Sequence, residues 1–165
     1  MIKYSKYFLV DPAQIDIHNI YCGSDNIAKV ADIFDFKQVI MQLSDLPVDS
    51  SLIAFVKEKG LKYFIEPNSM DDICLSIVIP YSLFKVILEK VVNEEPECLW
   101  ICNLRNLTTW DTYVQNLSFS NLIEKGVIDV TLYVWFDEFE LGINVRKSFV
   151  HPKELYKKIK SIPFE

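Results

Sequence analysis

The chain is poor in glycine and in histidine. Only four of its 165 residues are glycine, and only two, His18 and His151, are histidine. Few backbone positions can therefore adopt a positive φ without strain, and no glycine-rich loop is present to cradle a phosphate. With only two histidines, the chain offers few side chains suited to acid–base catalysis near neutral pH. Neither a G-x-S-x-G nor an H-E-x-x-H motif occurs, so we predict no catalytic residue and no cofactor site.

Long hydrophobic runs are also missing. At the N-terminus only residues 8–10 form an apolar run, which Asp11-Pro12 ends, so no signal peptide is predicted. The most apolar window, residues 73–92, contains Pro80 and three charged side chains. That window is too polar for a membrane span, which needs about 20 apolar residues. We therefore expect a cytoplasmic protein that does not bind membranes.

The four cysteines lie in apolar contexts: Cys22, Cys74, Cys98 and Cys102. His18-x3-Cys22 and Cys98-x3-Cys102 could supply four metal ligands. Cys98 and Cys102, however, belong to one predicted strand, where residues four apart stand about 13 Å apart and cannot share an ion. We predict that the cysteines bind no metal and form no disulfide, as expected of reduced, buried thiols.

The pattern of apolar residues predicts an α+β fold, a single domain over residues 1–165 with a mostly antiparallel sheet packed with helices. Strands are predicted at residues 2–10, 15–22, 61–67, 73–79, 98–104, 127–136 and 139–145. Helices are predicted at residues 26–46, with a break near Asp35 left open, and at residues 48–60, 80–94, 118–125 and 151–162. Strands and helices alternate without the regular spacing of a doubly wound fold.

Charge is distributed unevenly along the chain. Residues 1–145 hold 11 basic and 21 acidic side chains, whereas residues 146–165 hold 6 basic and 2 acidic ones. A broad nucleic-acid surface is disfavoured because phosphate contacts need lysine and arginine. A basic protein partner is favoured, since opposite charges speed the encounter. The lysines of the last helix, Lys153, Lys157, Lys158 and Lys160, fit a solvated face or a face that pairs with acidic residues of the body.

The stretch TLYVWFDEFELG, residues 131–142, raises the clearest functional question. If Phe136 opposes Phe139 across a turn at Asp137-Glu138, side chains alternate between two faces of a hairpin. One face is apolar and fits the core: Leu132, Val134, Phe136, Phe139, Leu141, Ile143 and Val145. The other face carries Asp129, Thr131, Tyr133, Trp135, Glu140, Gly142 and Asn144.

The second face admits two interpretations. A helix covers it and both aromatic rings belong to the core, or Tyr133 and Trp135 are exposed anchors in an acidic frame, as aromatic binding hot spots often are. A loop longer than two residues would shift the register and exchange the faces. On the functional interpretation the partner-binding residues are Asp129, Tyr133, Trp135, Asp137, Glu138 and Glu140.

A small, acidic, aromatic-rich and glycine-poor α+β protein without a catalytic motif resembles the immunity proteins of bacterial toxin systems. Those of contact-dependent growth inhibition and related polymorphic toxins are the most similar in character. The resemblance covers the whole chain and is one of size, charge and residue composition, and no motif is shared. It implies tight binding, as a monomer or a heterodimer with the toxin, to a cognate basic toxin domain, often a nuclease. A competing interpretation is a phage-encoded inhibitor that mimics nucleic acid through its carboxylates, although a net charge of −6 is modest for such a mimic. The other alternative is a small enzyme or ligand-binding domain whose site is assembled from distant residues.

Overall fold

The computed structural model describes residues 1–67, 71–103, 123 and 126–165. Its strands form one eight-stranded antiparallel sheet in the order β1-β2-β8-β7-β6-β3-β5-β4. The strands are β1 (Lys3–Tyr7), β2 (Ala13–His18), β3 (Gln38–Pro47), β4 (Tyr63–Pro67), β5 (Asp72–Pro80), β6 (Cys98–Asn103), β7 (Val130–Trp135) and β8 (Glu140–Val145). The predicted α+β class is therefore confirmed.

In the described part of the chain, four α-helices pack on one face of this sheet: α1 (Ser24–Ala31), α2 (Ser51–Glu58), α3 (Phe84–Asn93) and α4 (Pro152–Lys160). Each has an apolar stripe buried in the main core, and the facing side chains alternate along every central strand. Ser50 caps α2 by accepting a hydrogen bond from Leu52 N–H at 3.2 Å, and Pro152 opens α4. Among the described residues, no helix is long and apolar enough to span a membrane.

The predicted helix at residues 26–46 is wrong in its second half. Helix α1 and a 3-10 turn, Asp32–Phe34, end at Asp35, whose φ of 49° is left-handed. The chain then enters β3, a central strand between β5 and β6. Val39, Met41 and Leu43 face the helices, while Ile40 is buried on the other face. A strand buried on both faces lacks polar alternation, so its apolar residues also matched a helical stripe.

The second face of the sheet carries a smaller apolar cluster and a polar half. The cluster holds Ile40, Val78, Cys102, Ile123 and Ile128. The polar half lies over β1, β2, β8 and β7, with side chains such as Gln14, Asp16 and Glu140. The predicted helix at residues 118–125 lies outside the described residues except for Ile123.

Candidate functional site

The hairpin of β7 and β8 has the predicted register. Trp135 pairs with Glu140 and Tyr133 with Gly142, so the residues assigned to the core face of these two strands are indeed buried in the main core. The turn has four residues, 136–139, instead of two. The turn is longer than predicted by one residue on each side, so the pairing of the two strands is unchanged. The apolar and polar faces of the hairpin therefore do not exchange.

The six predicted partner-binding residues are divided between two ends of the hairpin. Asp137 and Glu138 are exposed in the turn, and Trp135 and Glu140 beside them are half-buried. Asp129 lies before β7, roughly 25 Å from the turn residues, given a rise of about 3.3 Å for each strand residue. It is 4% exposed and accepts a hydrogen bond from Asn103 Nδ2 at 3.1 Å. Asp129 therefore belongs to the internal structure and not to an exposed site.

The interpretation of Tyr133 as an exposed anchor is also wrong. Its side chain is 9% exposed, its hydroxyl donates a short hydrogen bond to Asp16 Oδ1, and it accepts one from Gln14 Nε2 at 3.1 Å. To reach β2, the ring crosses β8 over Gly142, where a Cβ would lie 1.8 Å from the ring carbon Cζ. Burial and the Asp16 carboxylate both raise the pKa of Tyr133. Tyr133 thus joins three strands internally.

Carboxylates are concentrated at the end of the sheet where β3 and β7 end and where β6 and β8 begin. We call this region the acidic end; it comprises Asp45, Glu94, Glu95, Glu97, Asp137, Glu138 and Glu140. Segments 44–47, 94–97 and 137–140, which supply them, contain no lysine or arginine. The acidic end therefore presents a strongly negative potential to any approaching partner.

The side chains at the acidic end lie close enough to perturb one another. Phe136 N–H donates to the Glu97 carbonyl at 3.3 Å, which joins the hairpin turn to the segment before β6. A hydrogen bond to Asp45, repulsion by that carboxylate, desolvation and repulsion by Asp137 together raise the pKa of Glu97. Unfavourable charge accumulation of this kind is common at sites that bind cations or basic partners.

A cleft with aromatic walls opens beside these carboxylates. Its volume is about 410 Å³, and its lining includes Tyr21, Phe139, Glu95 and Asp137. Tyr21 is 65% exposed and Phe139 is 54% exposed. Phe139 had been assigned to the core by alternation, and that prediction is wrong. The residue adopts φ 52° in the four-residue turn, which takes its side chain out of the strand pattern.

Left-handed backbone conformations are concentrated at this end. Asn19, Asp45, Glu95 and Phe139 all have φ between 51° and 57°. For a bulky L-residue such as Phe139 this conformation costs roughly 1–2 kcal/mol, and the position is one that glycine or asparagine usually fills in hairpins. Strain retained at an exposed aromatic residue is typical of a functional surface.

A second polar constellation lies on the open face of β1, β2 and β8. His18 Nε2 is 3.0 Å from Ser5 Oγ, and His18 Nδ1 is 3.3 Å from Glu140 Oε2. If the Nδ1–H is donated to Glu140, Nε2 accepts the hydroxyl hydrogen of Ser5. This order of hydroxyl, imidazole and carboxylate is the one that activates a serine nucleophile.

The cysteines are free thiols in the structure. Burial, with help from Glu140, raises the pKa of Cys22 to about 11, and burial also raises that of Cys74 to about 11. Both are therefore protonated and unreactive at neutral pH. Within the described part of the chain, no group of three or more histidine, cysteine or acidic side chains is arranged to hold a metal ion.

Sequence reasoning missed Tyr21, Phe139, Asp45 and the Ser5–His18–Glu140 arrangement. Tyr21 and Phe139 line the same cleft because Ile20 N–H donates a hydrogen bond to the Phe139 carbonyl at 3.0 Å and so brings the two segments together. One signal was available, since Phe139 follows Asp-Glu in a hairpin turn without glycine. A bulky residue at that place indicates either a longer turn or strain.

Comparisons with known proteins give only distant structural likenesses. No family model matches this chain, and no curated protein matches it. The regulatory subunit of aspartate kinase from Thermus thermophilus, in its ligand-free form, is 10% identical with a TM-score of 0.30, over 76% of this chain and 92% of that one. The alpha and beta subunits of an aspartokinase are 12% identical with a TM-score of 0.29, over 76% of this chain and 94% of that one. Aspartate kinase of Clostridium acetobutylicum is 11% identical with a TM-score of 0.24, over 74% of this chain and 32% of that one. Likenesses this weak carry no functional argument.

Proposed function

We propose that this chain is an immunity protein that binds and neutralises a cognate bacterial toxin domain in the cytoplasm. The observation that carries the proposal is the cleft at the acidic end, where exposed Tyr21 and Phe139 stand among carboxylates. Aromatic side chains supply the central anchors of many protein interfaces. Carboxylates around them select a basic partner and repel nucleic acid.

The proposed site differs from the one expected from sequence. Asp137 lines the cleft and remains in the site. Exposed Glu138 and the half-buried Trp135 and Glu140 lie beside Asp137 in the hairpin and are also kept in the proposed site. Asp129 and Tyr133 leave it because both are buried. The partner is a basic protein domain, bound by the chain as a monomer in a heterodimer.

The test is protection of a growing cell. The toxin domain encoded beside this chain's gene is expressed in a sensitive bacterial strain together with wild-type protein, Asp137→Lys or Glu58→Lys. Glu58 is an exposed carboxylate at the C-terminal end of α2, so its reversal matches the change in net charge without altering the cleft. Wild type and Glu58→Lys should restore growth, and Asp137→Lys should not.

Two results would contradict the proposal. Restored growth with all three proteins removes the acidic end from the interface. Failure of wild-type protein to protect, with folded protein present in the cells, removes the immunity function itself.

Association kinetics provide an independent check. Exposed charges are screened beyond about 8 Å at physiological ionic strength. The association rate with the toxin should therefore fall as salt rises, while the dissociation rate changes less. Equal salt dependence of both rates would argue against steering by the acidic end.

A second candidate function is hydrolysis of an ester by Ser5, His18 and Glu140, favoured by their distances of 3.0 and 3.3 Å. Ser5 Oγ would attack the acyl carbon as its proton passes to His18 Nε2, and that proton would then leave with the alcohol. Water would hydrolyse the acyl-serine by the same route. It ranks second because the side chains of His18 and Glu140 are 33% and 23% exposed, and solvent weakens charge stabilisation.

A fluorophosphonate probe decides the second candidate. An activated Ser5 forms a P–O bond, the P–F bond breaks, and the serine proton passes to His18. Mass spectrometry should find the label on Ser5 in wild-type protein and lose it in His18→Asn. Ser161 hydrogen-bonds the Lys158 carbonyl in an ordinary helix end, so Ser161→Ala is the matched control and should be labelled like wild type. An unlabelled wild-type protein would exclude the hydrolase.

A further inference from the structure

Among the described strands, β1 lies at a free edge of the sheet. This strand pairs with β2 and ends the strand order. In an antiparallel pair, alternate residues direct their N–H and C=O groups away from the partner strand, so an edge strand is a template for another strand. The edge of β1 can therefore accept an extended segment of a partner.

Exposed apolar side chains accompany this edge. Met1, Tyr7, Leu9 and Val10 are 108%, 58%, 98% and 58% exposed. Residues Lys6–Val10 and Gln14 line a groove of about 460 Å³ on this side. Clustered apolar exposure is more typical of an interaction surface than single exposed residues are.

A second groove on the helix side of β1 is basic. We call it the lysine groove; its volume is about 510 Å³, and it is lined by Lys6, Phe8, Lys153, Tyr156, Lys157 and Lys160. Lys153, Tyr156, Lys157 and Lys160 recur every three or four residues and so form one stripe of α4. The Lys6 ammonium lies 4.3 Å from the Tyr156 ring centroid, and that of Lys160 lies 5.5 Å from it.

The positive charge of the lysine groove is not neutralised by the described part of the protein. The ion pairs that the structure describes involve Lys29, Lys37, Lys85 and His18, and none of the four groove lysines. Two of them, Lys6 and Lys160, contact aromatic faces instead. In a chain of net charge −6, four cations without a described carboxylate partner mark a place that an external anion can occupy.

We propose that β1 and the lysine groove bind an acidic, extended peptide segment of a partner protein, which adds to the sheet beside β1. Side chains of such a strand alternate, so one set meets the lysine groove and the other meets the apolar side chains near Tyr7 and Leu9. A peptide fits better than nucleic acid because only a peptide uses the free backbone groups of β1. A second copy of the chain is disfavoured because antiparallel pairing of two β1 edges would set the lysine grooves of both copies side by side on one face of the joined sheet, where their like charges repel.

The experiment uses the full chain and a fluorescein-labelled octapeptide of alternating glutamate and valine, with fluorescence anisotropy as the readout. Lys157→Glu should raise the Kd by at least about tenfold, a change expected for reversal of a charge that faces the ligand. Lys158→Glu is the matched control, because Lys158 is exposed on α4 outside the groove, and it should leave the Kd within about twofold. The lysine–valine octapeptide should not bind.

Strand addition is tested separately from charge attraction. A glutamate–valine octapeptide that is N-methylated at alternate residues keeps its charge and loses backbone donors, so its Kd should rise at least about tenfold. Equal affinity of the methylated peptide would overturn strand addition. Tighter binding of an oligothymidylate that Lys157→Glu abolishes would reassign the groove to nucleic acid, and a dimer in sedimentation that Lys157→Glu dissociates would reassign it to a second copy. Phe139→Asn should leave peptide binding unchanged, which separates this site from the acidic end.

Discussion

Substitution of Gly142 by alanine tests the internal role of Tyr133. A Cβ at this position would lie 1.8 Å from Tyr133 Cζ and 2.2 Å from its hydroxyl oxygen. The ring cannot move aside freely, because its hydroxyl bonds Asp16 and Gln14. Overpacking of this kind costs about 1–3 kcal/mol, and loss of the hydrogen bond to a buried carboxylate adds roughly 1.5–3 kcal/mol if the ring is expelled.

The effect of Gly142→Ala on the free energy of unfolding should change sign when the Tyr133 ring is removed. In the Tyr133→Ala background the Cβ at residue 142 meets no ring, and glycine-to-alanine replacement then stabilises by about 0.4–1 kcal/mol through the unfolded state. Urea unfolding of wild type, both single variants and the double variant gives the coupling energy. If Gly142→Ala destabilises equally in both backgrounds, the contact with Tyr133 is not the reason for glycine at this position.

Three further substitutions probe burial and charge. Thr131→Val should stabilise the fold by up to about 1 kcal/mol in urea unfolding, because the buried Thr131 Oγ1 has no hydrogen-bond partner among the described residues; a loss of stability would indicate a bonded hydroxyl. For Glu97 the folded-state pKa lies above the ordinary 4.5, so the folded state binds more protons and wild-type stability falls as pH rises from 4.5 through the folded pKa. Glu97→Gln should therefore be more stable than wild type at pH 7, with the difference closing below pH 4.5; a difference independent of pH would refute this. Trp135→Ala should lower the free energy of unfolding by about 2 kcal/mol, near half the cost for a core tryptophan, because Trp135 is half-buried; an unchanged midpoint would place the ring in solvent.

The sequence was sufficient for the fold class and the hairpin because both depend on local alternation. Leu132, Val134 and Leu141 follow the period of two and are buried, and the register came from matching two such runs. The error at β3 has a different origin. The strand lies between β5 and β6 with apolar residues on both faces, so its neighbours, and not its own pattern, determine its conformation.

The candidate site was only partly predictable. The exposed turn at Asp137 and Glu138 was predictable because these two carboxylates interrupt two alternating apolar runs. Burial of Tyr133 depends on Asp16, 117 residues away in sequence, which no local pattern reveals. Exposure of Phe139 depends on its left-handed backbone, a strained conformation that propensity arguments disfavour. The errors therefore fall where long-range contacts or strain override local preference.

The most direct test of the acidic end as a toxin-binding site is a paired measurement on Phe139→Asn. Asparagine tolerates the left-handed conformation, so relief of roughly 1–2 kcal/mol of strain offsets the lost burial of a ring that is already half-exposed. Thermal unfolding should therefore show a stability equal to or slightly above that of wild type. Titration with the cognate toxin domain should show a loss of at least about 2 kcal/mol, near thirtyfold in Kd. Unchanged affinity, or a variant that binds weakly only because it unfolds, would contradict the account.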